Sequence, residues 1–232
     1  MNEIEAKTIL DKIVGQVFGY QNPLTLEQFQ QKFAFDISLP HQVTDSTDGS
    51  LTWAQSENPV KFMTQTNARK DPDALTRPRK DLHTLEDILS AWGEINYFTT
   101  ERQMDSINFA KSDNIDRSEN VYHSQDIEAA KNIILCDSVR NSEFIAASQN
   151  SGNSTFCIHL EDSGGCSNSF GVSWSGKIVN SIFIHDCFDM KDSMFCTNTN
   201  GGQYMIANMQ FEKEEYMRLR DIVIGWLLAP PE

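Results

Sequence analysis

The sequence predicts a mainly β protein built on a β-solenoid of nine 12-residue units, with an α+β region before the repeats and a capping helix after them. Three observations carry this. Four columns keep register over about a hundred residues, corner-forming Asn, Asp, Ser and Gly separate short β-prone runs, and helical patterns flank the repeats on both sides. The blocks start at Glu94, Ser106, Ser118, Ala130, Ser142 and Ser154; the extra residues Cys166-Ser167-Asn168 intervene, and blocks resume at Ser169, Ser181 and Ser193.

Column four runs Tyr97, Phe109, Val121, Ile133, Ile145, Cys157, Val172, Ile184 and Cys196, all types that bury. Column three begins Asn96, Asn108, Asn120 and Asn132, then changes to Phe144, Phe156, Gly171, Phe183 and Phe195. Column seven is small apart from Leu160 (Thr100, Ser112, Ser124, Cys136, Ser148, then Ser175, Cys187 and Thr199), and column ten is largely aliphatic (Ile115, Ile127, Val139, Ile178, Met190) with lapses at Gln103, Ser151, Ser163 and Gly202. Stacked at the strand spacing of about 4.8 Å, like residues form ladders. An Asn ladder hydrogen-bonds along itself, and a Phe ladder stacks. A coil is either one unit or two. The bulk of Phe, Ile and Tyr in column four favours two, giving 24-residue coils in a stack of four to five, roughly 20 Å tall.

The flanks follow in order. Ile4, Ile9, Ile13, Val14 and Val17 have near-helical spacing, and Asn22-Pro23 ends that helix. Thr25 and Gln28 form a capping-box pattern opening a second helix with Leu26, Phe29 and Phe33. Phe35-Asp36-Ile37-Ser38-Leu39 alternates at period two and reads as a strand, and Asp48-Gly49 marks a hairpin turn into Leu51-Thr52-Trp53. From Glu57 to Lys80 the chain is polar and proline-bearing. Thr84 and Asp87 cap a third helix carrying Leu85, Ile88, Leu89 and Trp92, with Gly93 at its end. Tyr204 to Phe211 makes a last strand, and a helix from Glu212 carries Tyr216, Leu219, Ile222 and Val223 into the apolar tail Trp226-Leu227-Leu228. The division is therefore 1–93, 94–211 and 212–232. Solenoid ends require covers, so the N-terminal helices ending at Trp92 are expected over the first coil and the tail over the last; a tail exposed as an apolar anchor is the alternative.

Composition narrows the function classes. A net charge of −14 repels phosphate backbones, which argues against nucleic acid as a partner. The mean hydropathy is −0.44 and no run approaches a membrane span, so no membrane partner is expected. The charged N-terminus shows no signal-peptide pattern, and cytoplasmic synthesis is the expectation. Arg69-Lys70 and Arg77-Pro78-Arg79-Lys80, beside Pro72, read as a solvated linker or as a dock for an acidic surface. The five cysteines, Cys136, Cys157, Cys166, Cys187 and Cys196, lack metal-ligand spacing and read as small core residues. Cys157 and Cys196 share column four and Cys136 and Cys187 column seven, too many coils apart for the Cα limit of about 7 Å, so all five are expected as free thiols.

The end of the chain, with Asn208, Gln210, Phe211, Lys213, Glu214, Glu215 and Tyr216, resembles the end of a family of short-repeat solenoid proteins of uncharacterised role from candidate-phylum bacteria and from phage or metagenomic genomes. Phe35 to Pro40, Asp45-Ser46 and Thr52-Trp53 resemble the segment preceding such repeats. The resemblance implies a solenoid and no established activity. The chain departs from the family in its fewer cysteines, a further argument against a metal-cluster role.

No catalytic, cofactor-binding or metal-ligating residue is assigned, and no cofactor is expected. His41 and His83 lie before the repeat; His123, His159 and His185 are expected on its outside. No nucleophile, phosphate-loop or zinc-protease motif occurs. The leading expectation is a non-enzymatic structural or interaction protein, a phage or virus-like particle component with protein partners or self-association. The alternative is a carbohydrate-binding or carbohydrate-cleaving solenoid using Trp174, Tyr122 and the Glu161-Asp162 pair beside Gly164-Gly165.

Overall fold

The computed structural model describes residues 1–58, 61–71, 73 and 75–230, so Pro72 of the proline-bearing segment and Pro231-Glu232 of the tail lie outside the described residues. Its centre is the expected β-solenoid, of about nine turns. Each coil holds twelve residues, not twenty-four: Lys131 and Ile133 pair in parallel with Glu119 and Val121 on one side and with Glu143 and Ile145 on the other. The stack is accordingly about twice the expected height, roughly 40 Å at the strand spacing.

Coils this small close because of a three-residue rhythm within the twelve. Every third residue from Ser112 to Cys196 is buried. Every third residue from Asp105 to Asn198 has a left-handed backbone, with φ between +44° and +66°. Each coil thus has four short sides, four left-handed corners and four inward side chains. Bulky side chains fit because they alternate with small ones: Ser118, Val121, Ser124 and Ile127 fill one coil, and Ala130, Ile133, Cys136 and Val139 the next. Left-handed corners favour Asn and Asp, whose short polar side chains bond locally. Asn108, Asn120 and Asn132 of the Asn column lie on such corners, and the expected ladder forms there: Asn108 Nδ2 donates to Asn120 Oδ1 (2.7 Å) and Asn120 Nδ2 to Asn132 Oδ1 (2.9 Å), whereas Asn96, with φ −76°, stands outside it.

The three extra residues are not an insertion. Pairing stays at twelve across the point, with Thr155 opposite Ser167, Cys157 opposite Ser169 and Leu160 opposite Val172. What changes is which sides carry bulk. Before Ser154 the large inward residues are those of Val121 and Ile127 and their stack; afterwards Ser169, Ser181 and Ser193 continue the Val121 stack, while Val172, Ile184 and Cys196 continue the Ser124 stack. Strands follow the bulky positions, so the two coils of the changeover carry seven-residue strands, Thr155–Glu161 and Ser167–Ser173, spanning old and new sides. The apparent Phe column is likewise two columns, with Phe144 stacked on Phe156 (4.4 Å between centroids) and Phe183 on Phe195 (5.0 Å). The cysteine columns shift too: only Cys136 and Cys196 share a stack, five coils apart, and all five are free and buried as expected.

The buried serines are satisfied by one recurring arrangement. Ser124 Oγ donates to the Tyr122 carbonyl (2.9 Å) and accepts the Cys136 N–H of the next coil (3.0 Å); Ser118, Ser154, Ser175 and Ser181 repeat the pattern. Cysteine substitutes closely: Cys136 Sγ donates to the Ile134 carbonyl (3.2 Å).

The helices α1 (Glu3–Phe18), α2 (Leu26–Phe33) and, at the far end of the chain, the 16-residue helix Lys213–Leu228 brace one flank of the solenoid, correcting the expectation that the N-terminal helices cover its first coil. The reason is an outward column, Ala110, Tyr122, Ile134, Ala146, Ile158, Phe170, Ile182, Met194 and Ile206, apolar in every coil. It packs against Leu10, Val14, Val17 and Phe18 of α1 and Phe29 and Phe33 of α2. From the last helix Tyr216, Ile224, Leu227 and Leu228 join this second core, so the tail covers the flank, with Trp226 left 62% exposed beside Phe183. Arg220 ties the last helix to the end of α1 by donating to the Val17 (3.0 Å) and Phe18 (3.4 Å) carbonyls. The final coil is closed by an antiparallel hairpin, Met205–Ile206 with Met209–Gln210.

At the opposite end, β1 (His41–Thr44) and β2 (Leu51–Ala54) form the expected hairpin, and β3 (Lys61–Thr64), inside the polar, proline-bearing stretch for which no element was expected, pairs in parallel with β4 (Tyr97–Thr100) of the first unit. Phe35 to Leu39 is a turn rather than a strand, because Ile37 folds back into the flank core and its N–H meets the Ala34 carbonyl (3.4 Å). Asp45, fully buried, knots this end: its carboxylate accepts from the Thr47 N–H (2.8 Å) and hydroxyl (2.5 Å), the Thr64 N–H (2.7 Å) and Asn67 Nδ2 (2.8 Å). Two helices complete the chain order between these elements, α3 (Gln65–Lys70) and α4 (Leu85–Ile95), making Lys213–Leu228 α5.

Candidate interaction surfaces

Helix α4 has the cap the sequence predicts. Thr84 Oγ1 accepts the Asp87 N–H (3.1 Å), and the Asp87 carboxylate accepts the N–H groups of His83 (3.0 Å) and Thr84 (2.9 Å), which hold its pKa below the usual carboxylate range. The helix buries none of its residues. Leu85 is 70% exposed, Ile88 and Leu89 51% each and Trp92 55%, at the i, i+3, i+4, i+7 spacing of one face. Sequence reasoning placed these side chains under the first coil; β3 takes that position instead, and α4 is displaced outward.

The basic segment is partly anchored. Glu94 accepts from Arg77 and from Lys80 (3.2 Å), and these two cations hold its carboxyl below its ordinary pKa, Lys80 contributing most. Arg77 also donates to the Ala91 carbonyl (2.5 Å), pinning the segment along α4, while Arg79 stays exposed.

The residues expected to serve a carbohydrate do not form one site. Tyr122 lies in the flank core at 5% exposure, its hydroxyl against Glu3 (3.2 Å). Glu161 is half-buried on a strand and Asp162 exposed on a corner, with exposed Trp174 one coil along the same corner column. The histidines divide by role. His123 Nε2 donates to the Pro40 carbonyl (3.0 Å) and His159 Nδ1 to the Phe33 carbonyl (2.9 Å), so both fasten the N-terminal region to the solenoid; burial also lowers the His123 pKa. His185 is exposed beside Asp186 (3.2 Å).

An open groove with a cavity volume of about 780 Å³ runs between α2, the 35–41 turn, Trp53 and His123. Sequence reasoning missed it because its walls come from segments far apart in the chain. Among the described residues, no group of three or more His, Cys, Asp or Glu is arranged to hold a metal, and no helix is long and apolar enough to cross a membrane. Comparison with known protein families, curated proteins and solved structures finds no match.

Proposed function

We propose that the protein is a non-enzymatic structural and interaction protein that attaches to a larger protein assembly through α4, the assembly being a phage or virus-like particle. The observation that carries the reading is the bare face of α4. An isolated helix of 11 residues is marginal in water, and most helical stability in proteins comes from packing an apolar face. Here that face, with a Trp at its end, is presented to solvent on a rigid scaffold. Trp is among the residues most enriched at binding hot spots, and a partner offering an apolar pocket would complete the helix's missing core. The acidic net charge and the resemblance to repeat proteins from phage genomes support the particle as the larger assembly.

The test combines Leu89→Asp with Trp92→Ala. Because neither side chain is buried, the melting temperature should stay within about 2 °C of wild type, the shift of a sub-kcal/mol surface change, while co-purification with particles is lost. A protein found only as a free monomer, and absent from purified particles by mass spectrometry, would remove the particle assignment. A variant that still associates would remove the role of α4.

A further inference from the structure

We propose that the groove between α2 and the β1–β2 hairpin is a binding site for a neutral oligosaccharide. The site is separate from α4 and does not depend on the attachment reading.

Its chemistry is set by what lines it and what does not. On the α2 wall Glu27, Gln30 and Gln31 present a carboxylate and two amides that make no hydrogen bond within the chain among the described residues. His41 also lines the groove, likewise without a side-chain hydrogen bond among the described residues. Phe35 forms a rim; it is 75% exposed, with its ring stacked over His159 (6.2 Å between centroids). Trp53 forms another wall, half-buried and fixed by contact with His123 (5.1 Å).

Each feature removes a ligand class. No Lys or Arg lines the groove among the described residues, and Lys111, over the Trp53 ring, is held by Glu3 (2.9 Å). Phosphates, nucleotides and sulfated or uronic-acid glycans therefore lack a countercharge and face a protein of net charge −14. The groove is open and its lining mixes polar with apolar groups, so it cannot enclose a lipid chain or a compact apolar ligand as closed pockets do. A neutral sugar chain matches what remains. Amides and a carboxylate pair with its hydroxyls, aromatic rims take the C–H faces of its rings, and an open trough admits a polymer from the side. The groove is also rigid. The His123–Pro40 and His159–Phe33 hydrogen bonds clamp the turn and α2 to the stack, so binding orders little additional chain.

The experiment uses the full chain against an array of neutral oligosaccharides (gluco-, manno-, galacto-, xylo- and N-acetylglucosamine oligomers), followed by calorimetry on any that bind. At least one neutral series should bind, Phe35→Ala and Gln31→Ala should each weaken it tenfold or more, and both variants should melt as wild type because the two side chains are exposed. The α4 variant Leu89→Asp should bind sugar normally, which keeps this result distinct from failure of the attachment reading. No binding across the neutral array at millimolar sugar, binding only to anionic glycans, or binding unchanged in both groove variants would each overturn the proposal.

Discussion

Replacing Ser124 by Ala tests the hydrogen-bond arrangement that lets a 12-residue coil carry polar side chains inside. Ser124 is fully buried; its hydroxyl donates to the Tyr122 carbonyl and accepts the Cys136 N–H. Alanine changes little volume, so the cost is polar. The Tyr122 carbonyl keeps a donor, the Leu135 N–H at 3.0 Å, but the Cys136 N–H loses the Ser124 oxygen deep inside the stack. A buried donor left unpaired costs about 1–3 kcal/mol. At about 2 kcal/mol the expected fall in melting temperature is about 4–8 °C for a chain of this size. Ser124→Cys should cost less than about 1 kcal/mol, because Cys136 already fills the same role one coil on. Urea melts of the three proteins give the global loss. Since repeat arrays open locally, amide exchange at Cys136 gives the site-specific one, and Ser124→Ala should accelerate it well above neighbouring amides. If Ser124→Ala matched wild type in both stability and Cys136 protection, the serine arrangement would be ornamental and the reasoning wrong.

Two further outcomes follow from buried titratable groups. Burial alone would raise the Asp45 pKa, but the bonds from the Thr47 hydroxyl, the Thr64 and Thr47 N–H groups and Asn67 outweigh it and hold the carboxyl well below the usual carboxylate range. A depressed folded pKa means this stability is fully present above the unfolded value near pH ~4 and is lost as pH falls below it. Asp45→Asn, which offers an amide N–H where only acceptors fit, should cost about 3 kcal/mol at pH 7 and flatten the acid limb of the stability profile between about pH 4 and 2, as read by pH-dependent urea melts. An unchanged acid limb would count against the knot. The thiols form the second case: burial pushes Cys136 up to about 12 and raises Cys157, Cys166 and Cys196 as well. Because all five are also buried away from reagent, a thiol reagent at pH 8 should label almost none of them until denaturant is added and then all five, whereas rapid labelling of the folded chain would show an open stack.

Much of the solenoid was legible in the sequence because stacking turns sequence distance into spatial repetition. Asn108, Asn120 and Asn132 announced their own ladder, and Val121, Ile133 and Ile145 their shared interior. The misreading at Cys166 arose from following column identity instead of register. The serine and aliphatic columns move one side around the coil there, and three residues is one side. The correct register was present in the unbroken apolar series from Ala110 to Ile206, which passes Cys166 without a shift. That series also carried the signal for a covered flank.

The coil size was harder to reach, since it depends on backbone conformation. Corners at Leu135, Phe144 and Trp174 adopt left-handed φ values that their residue types do not advertise, and only the hydrogen bonds of the stacked coils hold them there. The site features lay further still from the sequence. Whether Leu85, Ile88, Leu89 and Trp92 face a core or solvent depends on which element reaches the first coil, and β3 takes that place by pairing across 36 residues with β4. The groove joins α2 to Trp53 and His123 in the same non-local way. The sequence by itself determined the repeat, the ladders and the caps of α2 and α4, because these are interactions between residues at fixed spacing. Only the tertiary structure decided which faces are covered and which are bare, because that is a competition among distant segments for one apolar surface, and local pattern records each competitor without recording the winner.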